Sequence, residues 1–359
     1  MFLLAPFWGN TKYYCMLNSY SFYNLGSLRD MILLTGATGY IGSNVWIELL
    51  KGETPVLGFD NLSNSDPRTL QAINQISGKS TSFIKGDIRD SNLLTELFSR
   101  HPITHVIHLA ALKNVQESML NKEEYFDVNI CGLRNLLKAM RSHGCSKIIF
   151  SSSAAVYGDS ALSPLTEMEN LSPSSYYGST KLEGERLLSS EFNISPAMNS
   201  ISLRYFNVAG QHESGLLHKY GPLKSRSLFS EIEEVLIGKS DKLPVFGADW
   251  NTADGTCIRD YLHVTDLARG HVDALNILDD GMKCMALNLG LGIGKSVYEV
   301  VSTYEQISGK SIPRHIAEKR PGDVQVSFAD TRLAAQIMDW NPKKTLSDMC
   351  RDSYRSCIA

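Results

Sequence analysis

The sequence has no Cys-x-x-Cys pair, no long apolar run, no strong charge excess and no internal repeat. Its seven cysteines (Cys15, Cys131, Cys145, Cys257, Cys284, Cys350, Cys357) are odd in number and scattered. That excludes a disulfide framework and a cysteine zinc site. No apolar stretch approaches the roughly 20 residues needed to span a bilayer. The opening Met1-Phe-Leu-Leu-Ala-Pro lacks the basic flank and long apolar core of a secretory signal. A cytoplasmic location is expected. A formal charge of -3 gives no reason to expect nucleic acid or a membrane surface as partner. Without repeats or low-complexity tracts, solenoids and propellers are also excluded. His101, His105 and His108 have metal-like spacing, but Thr104–Ala110 reads as a buried strand entered from a loop, so no metal is expected.

What is present is an ordinary globular composition, 43% hydrophobic and 20% charged over 359 residues. That is enough chain for one large or two modest domains. Residues 1–30 are aromatic and rich in Asn, Ser and Tyr. Two readings fit them: an extension, or translation from an upstream start with Met31 as the true beginning. Met31 stands directly before a well-formed strand, which favours the second.

From Met31 onward, short apolar runs alternate with amphipathic stretches, the rhythm of a parallel sheet covered by helices. Strands are expected at Met31–Thr35, Pro55–Phe59, Ser82–Lys85, His105–Leu109, Lys147–Ser151 and Asn199–Arg204. Helices are expected at Ile41–Lys51, Thr69–Ile76, Asn92–Ser99 and Glu123–His143, and from Tyr177 through Leu188. Near-continuous apolar runs such as Val106-Ile-His-Leu suit strands buried on both faces. After Tyr205 the rhythm breaks into Gly-, Pro- and Asp-bearing segments with helices at Leu228–Ile237 and Val264–Leu278. The expected fold is α/β: a Rossmann-type doubly wound parallel sheet over residues 31–205, then a smaller α+β lobe over 206–359.

Gly36, Gly39 and Gly42 join the first strand to its helix. Glycines there permit a tight turn and let backbone amides approach a pyrophosphate at a helix N-terminus. Asp60 closes the second strand, 24 positions beyond Gly36, where a carboxylate would hold an adenosine ribose. It would repel a 2′-phosphate and no arginine adjoins it, so NAD is expected rather than NADP.

Lys181 follows Tyr177 by four residues, so on a helix the two share a face. A free phenol has a pKa of roughly 10 and is a poor base at neutral pH. A nearby ammonium favours the phenolate. Ser153 ends the fifth strand, at the carboxyl edge where α/β sheets bind ligands, and can relay a proton to Tyr177.

Several stretches together carry a resemblance: Thr35-Gly-Ala-Thr-Gly-Tyr-Ile-Gly-Ser43, Asp60-Asn-Leu-Ser-Asn64, Gly86-Asp-Ile-Arg89, His108-Leu-Ala-Ala-Leu-Lys113, Phe150-Ser-Ser-Ser-Ala-Ala-Val-Tyr-Gly-Asp159 and Tyr177-Gly-Ser-Thr-Lys181. Further on come Leu203-Arg-Tyr-Phe-Asn207, Val245-Phe-Gly247, Asp254–Val264 and Arg320-Pro-Gly-Asp323. From about Met31 to near the C-terminus the chain resembles the extended short-chain dehydrogenase/reductases, and within them the UDP-glucose 4-epimerase family. That resemblance implies a cofactor set of Gly36, Gly39, Tyr40, Ile41, Gly42, Asp60, Asn61, Asn64, Leu109, Ala110, Ala111 and Ser151, with Asp87 and Ile88 on adenine. Lys113 and Asn129 would reach the cofactor's far half, and Tyr205 the nicotinamide. Tyr177, Lys181 and Ser153 would be catalytic, with the first two also touching NAD and Ser153 and Tyr177 touching sugar. Asn207, Arg259 and Arg320 would bind the diphosphate, Asp323 the uridine ribose and Phe246 the uracil, with Val245 also in the substrate-binding set.

Two departures from the family pattern stand out. Arg226-Ser227-Leu228 replaces an Asn-Asn-Leu near the diphosphate. Ser327, four residues past Asp323, stands where some relatives carry a bulky tyrosine, leaving room for an N-acetylated hexose. The implied reaction inverts C4 of a UDP-hexose through a 4-keto sugar, in a homodimer paired through the helix after Glu123 and the one bearing Tyr177. A 4,6-dehydratase or decarboxylase would want an acidic residue just after the catalytic hydroxyl, but Ala154-Ala155 follows Ser153. A 4-keto-sugar reductase and a non-catalytic NAD-binding regulator are the remaining alternatives.

Overall fold

In the computed structural model, which describes residues 30–159, 163–218, 227–281, 283–320 and 322–358, the apolar runs after Asp30 become the strands of one sheet. The expectations for residues 1–29 and for Arg226 lie outside the described residues. In order along the chain come β1 (Met31–Thr35), α1 (Tyr40–Leu50), β2 (Val56–Asp60), α2 (Thr69–Ser77), β3 (Ser82–Lys85), α3 (Ser91–Arg100) and β4 (Ile103–His108). Next are α4 (Val115–Leu120), α5 (Lys122–Phe126), α6 (Gly132–Ser142), β5 (Lys147–Ser153), α7 (Tyr176–Ile194) and β6 (Asn199–Tyr205). The single long helix expected over Glu123–His143 is interrupted. A π-helical turn at Asp127–Cys131 separates α5 from α6, and such turns occur frequently at functional sites.

The second lobe contributes β7 (Asn207–Ala209), α8 (Leu228–Leu236), β8 (Leu243–Phe246), β9 (Ile258–His263), α9 (Val264–Asp279) and β10 (Met285–Leu289). It ends with β11 (Gly294–Ser296), α10 (Val297–Ser308), β12 (Arg314–Ala317), β13 (Val326–Ser327), α11 (Arg332–Met338) and α12 (Leu346–Ile358).

The main sheet has seven parallel strands in the order β10-β6-β5-β4-β1-β2-β3. Alternate strand residues face opposite layers. Ile32 and Leu34 therefore pack with Trp46, Ile73, Leu267 and Leu275 of α1, α2 and α9. Leu33 joins Leu94, Leu137 and Leu188 of α3, α6 and α7 on the other side. The proposed division at residue 205 is not a single cut, because β10 returns to pair with β6 and α9 covers the sheet beside α1. A strand of five residues (Met-Ala-Leu-Asn-Leu) carries too short a pattern to be assigned to a sheet before its neighbours are known. The second lobe has its own apolar centre around Phe229, Tyr261 and Tyr304.

Candidate active site

Gly36 leaves β1 with a positive φ of 69°, which a side chain would strain. A Cβ there would sit 2.7 Å from the Ala110 amide nitrogen, and one on Gly42 would sit 2.0 Å from the Gly36 carbonyl oxygen. Gly39 is the N-cap of α1 and contributes no capping side chain, so the first-turn amides keep their donors. A cradle that only glycine can line, at an uncapped helix start, fits a dinucleotide pyrophosphate.

The surrounding loops complete the cofactor side. Asp60 accepts backbone N–H bonds from Thr38 (3.2 Å) and Leu62 (2.8 Å), which fixes its carboxylate beside the glycine turn. Asn61 donates to Asp87 at 2.8 Å, with Asn64 further along the same loop. The Arg89 guanidinium, also 2.8 Å from Asp87, holds that carboxyl well below the usual carboxylate range. Ile88 lies buried behind Asp87. After β4, Leu109 and Ala110 donate to Thr35, which presses Leu109, Ala110 and Ala111 against the turn. Tyr40 donates to the Gly210 carbonyl of the second lobe. Lys113 stands 5.9 Å from the Tyr40 ring centroid, and burial lowers its pKa. Ile41 packs partly buried on the core.

Asn129 is held by neighbouring backbone and side-chain groups. Its amide accepts from Leu112 N–H (2.8 Å) and donates to the Leu112 carbonyl (3.0 Å) and the Thr180 hydroxyl (3.0 Å). All its strong bonds go to protein groups, so it clamps the 109–113 loop to α7; the π-helical turn brings it there. Tyr205 is buried, and its hydroxyl is 2.6 Å from His271 of α9; Tyr177 and Ser151 lie close enough to act on its phenol electrostatically.

The catalytic candidates do converge. Ser175 caps α7 by accepting from Gly178 N–H, and the Tyr177 N–H donates to Ser118 of α4 at 3.0 Å. Lys181 is 3% exposed and donates to the Ser151 carbonyl (2.7 Å) and hydroxyl (3.1 Å). Its ammonium lies 5.8 Å from the Tyr177 ring centroid. Burial pushes the Tyr177 phenol up to about 12, opposed by the Ser153 hydroxyl. Burial also brings Lys181 down to about 7.

Burial thus opposes ionisation of both groups, so a Tyr177 phenolate depends on cofactor charge as well as on Lys181. A further positive charge in the crevice is needed for a base at neutral pH. His108, buried and 2.8 Å from Thr35 Oγ1, is pushed down to about 3 and stays neutral. His105 bonds Asp279 at 2.8 Å, and among the described residues no three His, Cys, Asp or Glu side chains are grouped to hold a metal.

The second lobe gathers most of the expected sugar-nucleotide residues. Asp323 lies 3.0 Å from Arg320 and 3.9 Å from Arg259. The Arg320 guanidinium stacks 4.3 Å over the Phe246 ring. Ser327 pairs with Arg259 in the β13–β9 register. Asn207 pairs with Tyr261 further along β9. Two guanidinium groups around one carboxylate leave a net positive site suited to paired phosphate oxygens. Ser227 is the N-cap of α8 in a reciprocal box with Ser230, and Leu228 begins that helix. The Val245 side chain is 1% exposed in the lobe core, so strand alternation puts the Phe246 side chain on the opposite face, against Arg320.

Residues that sequence reading did not single out also shape this crevice. Ser118, His271 and Glu185 are examples. Glu185 alone had a signal, since it continues the Tyr177–Lys181 face by four more residues.

Residues 32–290 match the model of the NAD dependent epimerase/dehydratase family. The chain is 41% identical over 324 residues to a UDP-glucose 4-epimerase of Bacillus subtilis, covering 90% of this chain and 96% of the relative. It is 43% identical over 330 residues to the UDP-glucose 4-epimerase of Dictyostelium discoideum, covering 91% and 96%. A crystal structure of the Stenotrophomonas maltophila UDP-glucose-4-epimerase with bound NAD and formylated UDP-arabinopyranose superposes with a TM-score of 0.88. It is 40% identical, over 91% of this chain and 97% of that one. With the glycine cradle, the Tyr177–Lys181 helix and the arginine-lined second lobe in one chain, the protein belongs to the NAD dependent epimerase/dehydratase family, in its UDP-glucose 4-epimerase branch.

Proposed function

We propose that this chain is an NAD-dependent isomerase that inverts C4 of a UDP-linked hexose through a transient 4-keto sugar. The observation carrying this is the pairing of a buried Tyr177–Lys181 site at the carboxyl edge of the sheet with the Arg259–Asp323–Arg320 cluster of the second lobe. NAD⁺ would be held by the glycine turn, Asp60, Asp87 and Lys181, and would supply the acceptor and returning donor for the C4 hydride together with positive charge beside Tyr177. Tyr177 takes the 4-hydroxyl proton directly or through Ser153. Asn207, Arg226, Ser227, Leu228, Arg259 and Arg320 anchor the diphosphate, Phe246 the uracil and Asp323 the ribose. Strong remote binding combined with loose holding of the hexose lets the ketone present either face.

A dehydratase reading is disfavoured by Ala154-Ala155 beside Ser153, which form a short 3₁₀ turn with no carboxylate. Incubating the purified protein with UDP-galactose and separating the products tests the proposal. UDP-glucose is expected with no net NADH, whereas stoichiometric NADH consumption points to a reductase.

We extend the proposal to N-acetylated hexoses, since Ser327 is a small, partly buried residue opposite Arg259. UDP-N-acetylgalactosamine is expected to turn over within about tenfold of UDP-galactose, a gap of about 1.4 kcal/mol. Ser327→Tyr is expected to remove the N-acetyl activity while keeping the other. No turnover of the N-acetyl substrate by the unmodified protein defeats this extension.

The same reading includes a homodimer paired through the helix after Glu123 and the one bearing Tyr177, with α4 beside them. Its support is a run of exposed apolar side chains there, Met119 (49%), Leu120 (84%) and Phe126 (41%) among them. A cytoplasmic setting is supported by the free thiols of the six described cysteines.

A further inference from the structure

Two residues in the quoted stretches have no part in the reaction above: Tyr157, just after β5, and Arg204, near the end of β6. Both are almost wholly buried, Tyr157 at 1% and Arg204 at 4% exposed. The Arg204 guanidinium forks onto Glu185 of α7 through Nε (3.0 Å) and Nη2 (2.7 Å). Its Nη1 donates to the Tyr157 hydroxyl (3.0 Å) and the Glu167 carbonyl (3.2 Å). Ser152, the neighbour of Ser153, donates to the same Glu185 at 2.5 Å. Glu185 is four residues past Lys181 and eight past Tyr177, on one helix face.

On its other side the network leaves the catalytic elements. The Tyr157 hydroxyl donates to Asn288 Oδ1 of β10 at 2.7 Å. Asn288 Nδ2 donates to the Leu165 carbonyl at 2.9 Å. Leu165 N–H in turn donates to the Phe328 carbonyl at 2.8 Å, one residue past Ser327. An unbroken hydrogen-bonded path thus runs from Ser152 and α7 to the strand that lies beside Arg259.

A buried ion pair is weak evidence for stability, because desolvation offsets its attraction. A satisfied buried network does impose one relative position on the parts it joins. We propose that Arg204 and Tyr157 are positioning residues, which register the Ser153–Tyr177–Lys181 face of α7 and β5 against the Ser327 strand of the second lobe. The inference rests on the epimerase reading. With UDP anchored on one lobe and the phenol on the other, this spacing decides whether the turned-over ketone meets its reaction geometry a second time. Misplacement of about 1 Å costs up to about a hundredfold in rate.

The test uses Tyr157→Phe, which keeps the ring and leaves the Arg204–Glu185 pair intact, and Arg204→Lys, which keeps the charge and loses the fork. For Tyr157→Phe, kcat on UDP-galactose is expected to fall about tenfold with KM within about twofold, the signature of lost positioning rather than lost binding. The second half of the reaction should suffer more than the first. Ketone that leaves before reduction strands its hydride on the nicotinamide and its proton on the enzyme. The absorbance of enzyme-bound reduced nicotinamide during turnover should therefore rise severalfold over the unmodified protein. Arg204→Lys should show the same rise, to a greater extent.

Unchanged kcat and reduced-cofactor absorbance in both variants overturn the inference. A rate loss matched only by lost NAD content or lower Tm, without that rise, also overturns it. Failure of the unmodified protein to epimerise UDP-galactose removes the functional reading itself, and this inference with it.

Discussion

Tyr177→Phe is expected to lower turnover of UDP-galactose by about a thousandfold, within the range for loss of a general base, while NAD remains bound. The ring's packing is kept, since only the hydroxyl is removed. The cofactor cradle of Gly36, Gly39 and Gly42 does not involve that hydroxyl. The buried phenol, pushed up to about 12, is a reluctant acid by itself, so nearly all its reactivity depends on positive charge in the crevice. Adding NAD⁺ should therefore bring down the ultraviolet titration midpoint of one tyrosine in the unmodified protein, and not in the variant. Retained turnover in Tyr177→Phe, or a variant that fails to hold NAD, removes this residue from the role of base.

Lys181→Met is expected to lower kcat by about a hundredfold or more, as one partner of a positioned proton-transfer pair is lost, and to change how stability depends on pH. Burial lowers the folded-state pKa of Lys181 to about 7 from 10.5. Below the folded value the ammonium is charged in both states, and the folded protein bears the full desolvation cost. Between the two values the unfolded chain holds a proton that the folded one has released, so stability from this group rises with pH. Above 10.5 its contribution is constant. The span corresponds to a shift on the order of 5 kcal/mol. Methionine has no such charge, so the variant should be at least as stable near neutrality and should lack this rise on going alkaline. Thermal melts of both proteins across that window measure the difference. Parallel curves mean that the lysine is not desolvated as described.

These two expectations bear on how far residue spacing reveals a site. Tyr177 and Lys181 are legible because four residues return a helix to one face, and the glycine turn because close approach leaves no room for a Cβ. Their electrostatics are not legible that way. Whether a lysine lowers a phenol's pKa depends on what else the ammonium bonds, and here it bonds Ser151. Asn129 shows the same limit: its position in sequence says nothing of the bonds its amide makes to Leu112 and Thr180. Val245 and Phe246 are adjacent in sequence, and only the side taken by the lobe core decides which side chain packs inward and which meets Arg320.

The order of apolar runs, the glycine turn and the tyrosine–lysine spacing by themselves determined the Rossmann-type sheet, the dinucleotide cradle and the kind of chemistry, because each depends on local geometry. Only the tertiary structure decided the return of β10 to the sheet, the π-helical turn that aims Asn129, and the path from Ser152 through Arg204 and Tyr157 to the Ser327 strand. Those features join residues tens to more than a hundred positions apart. Hydrogen bonds and burial at that separation are set by packing, which no local spacing encodes.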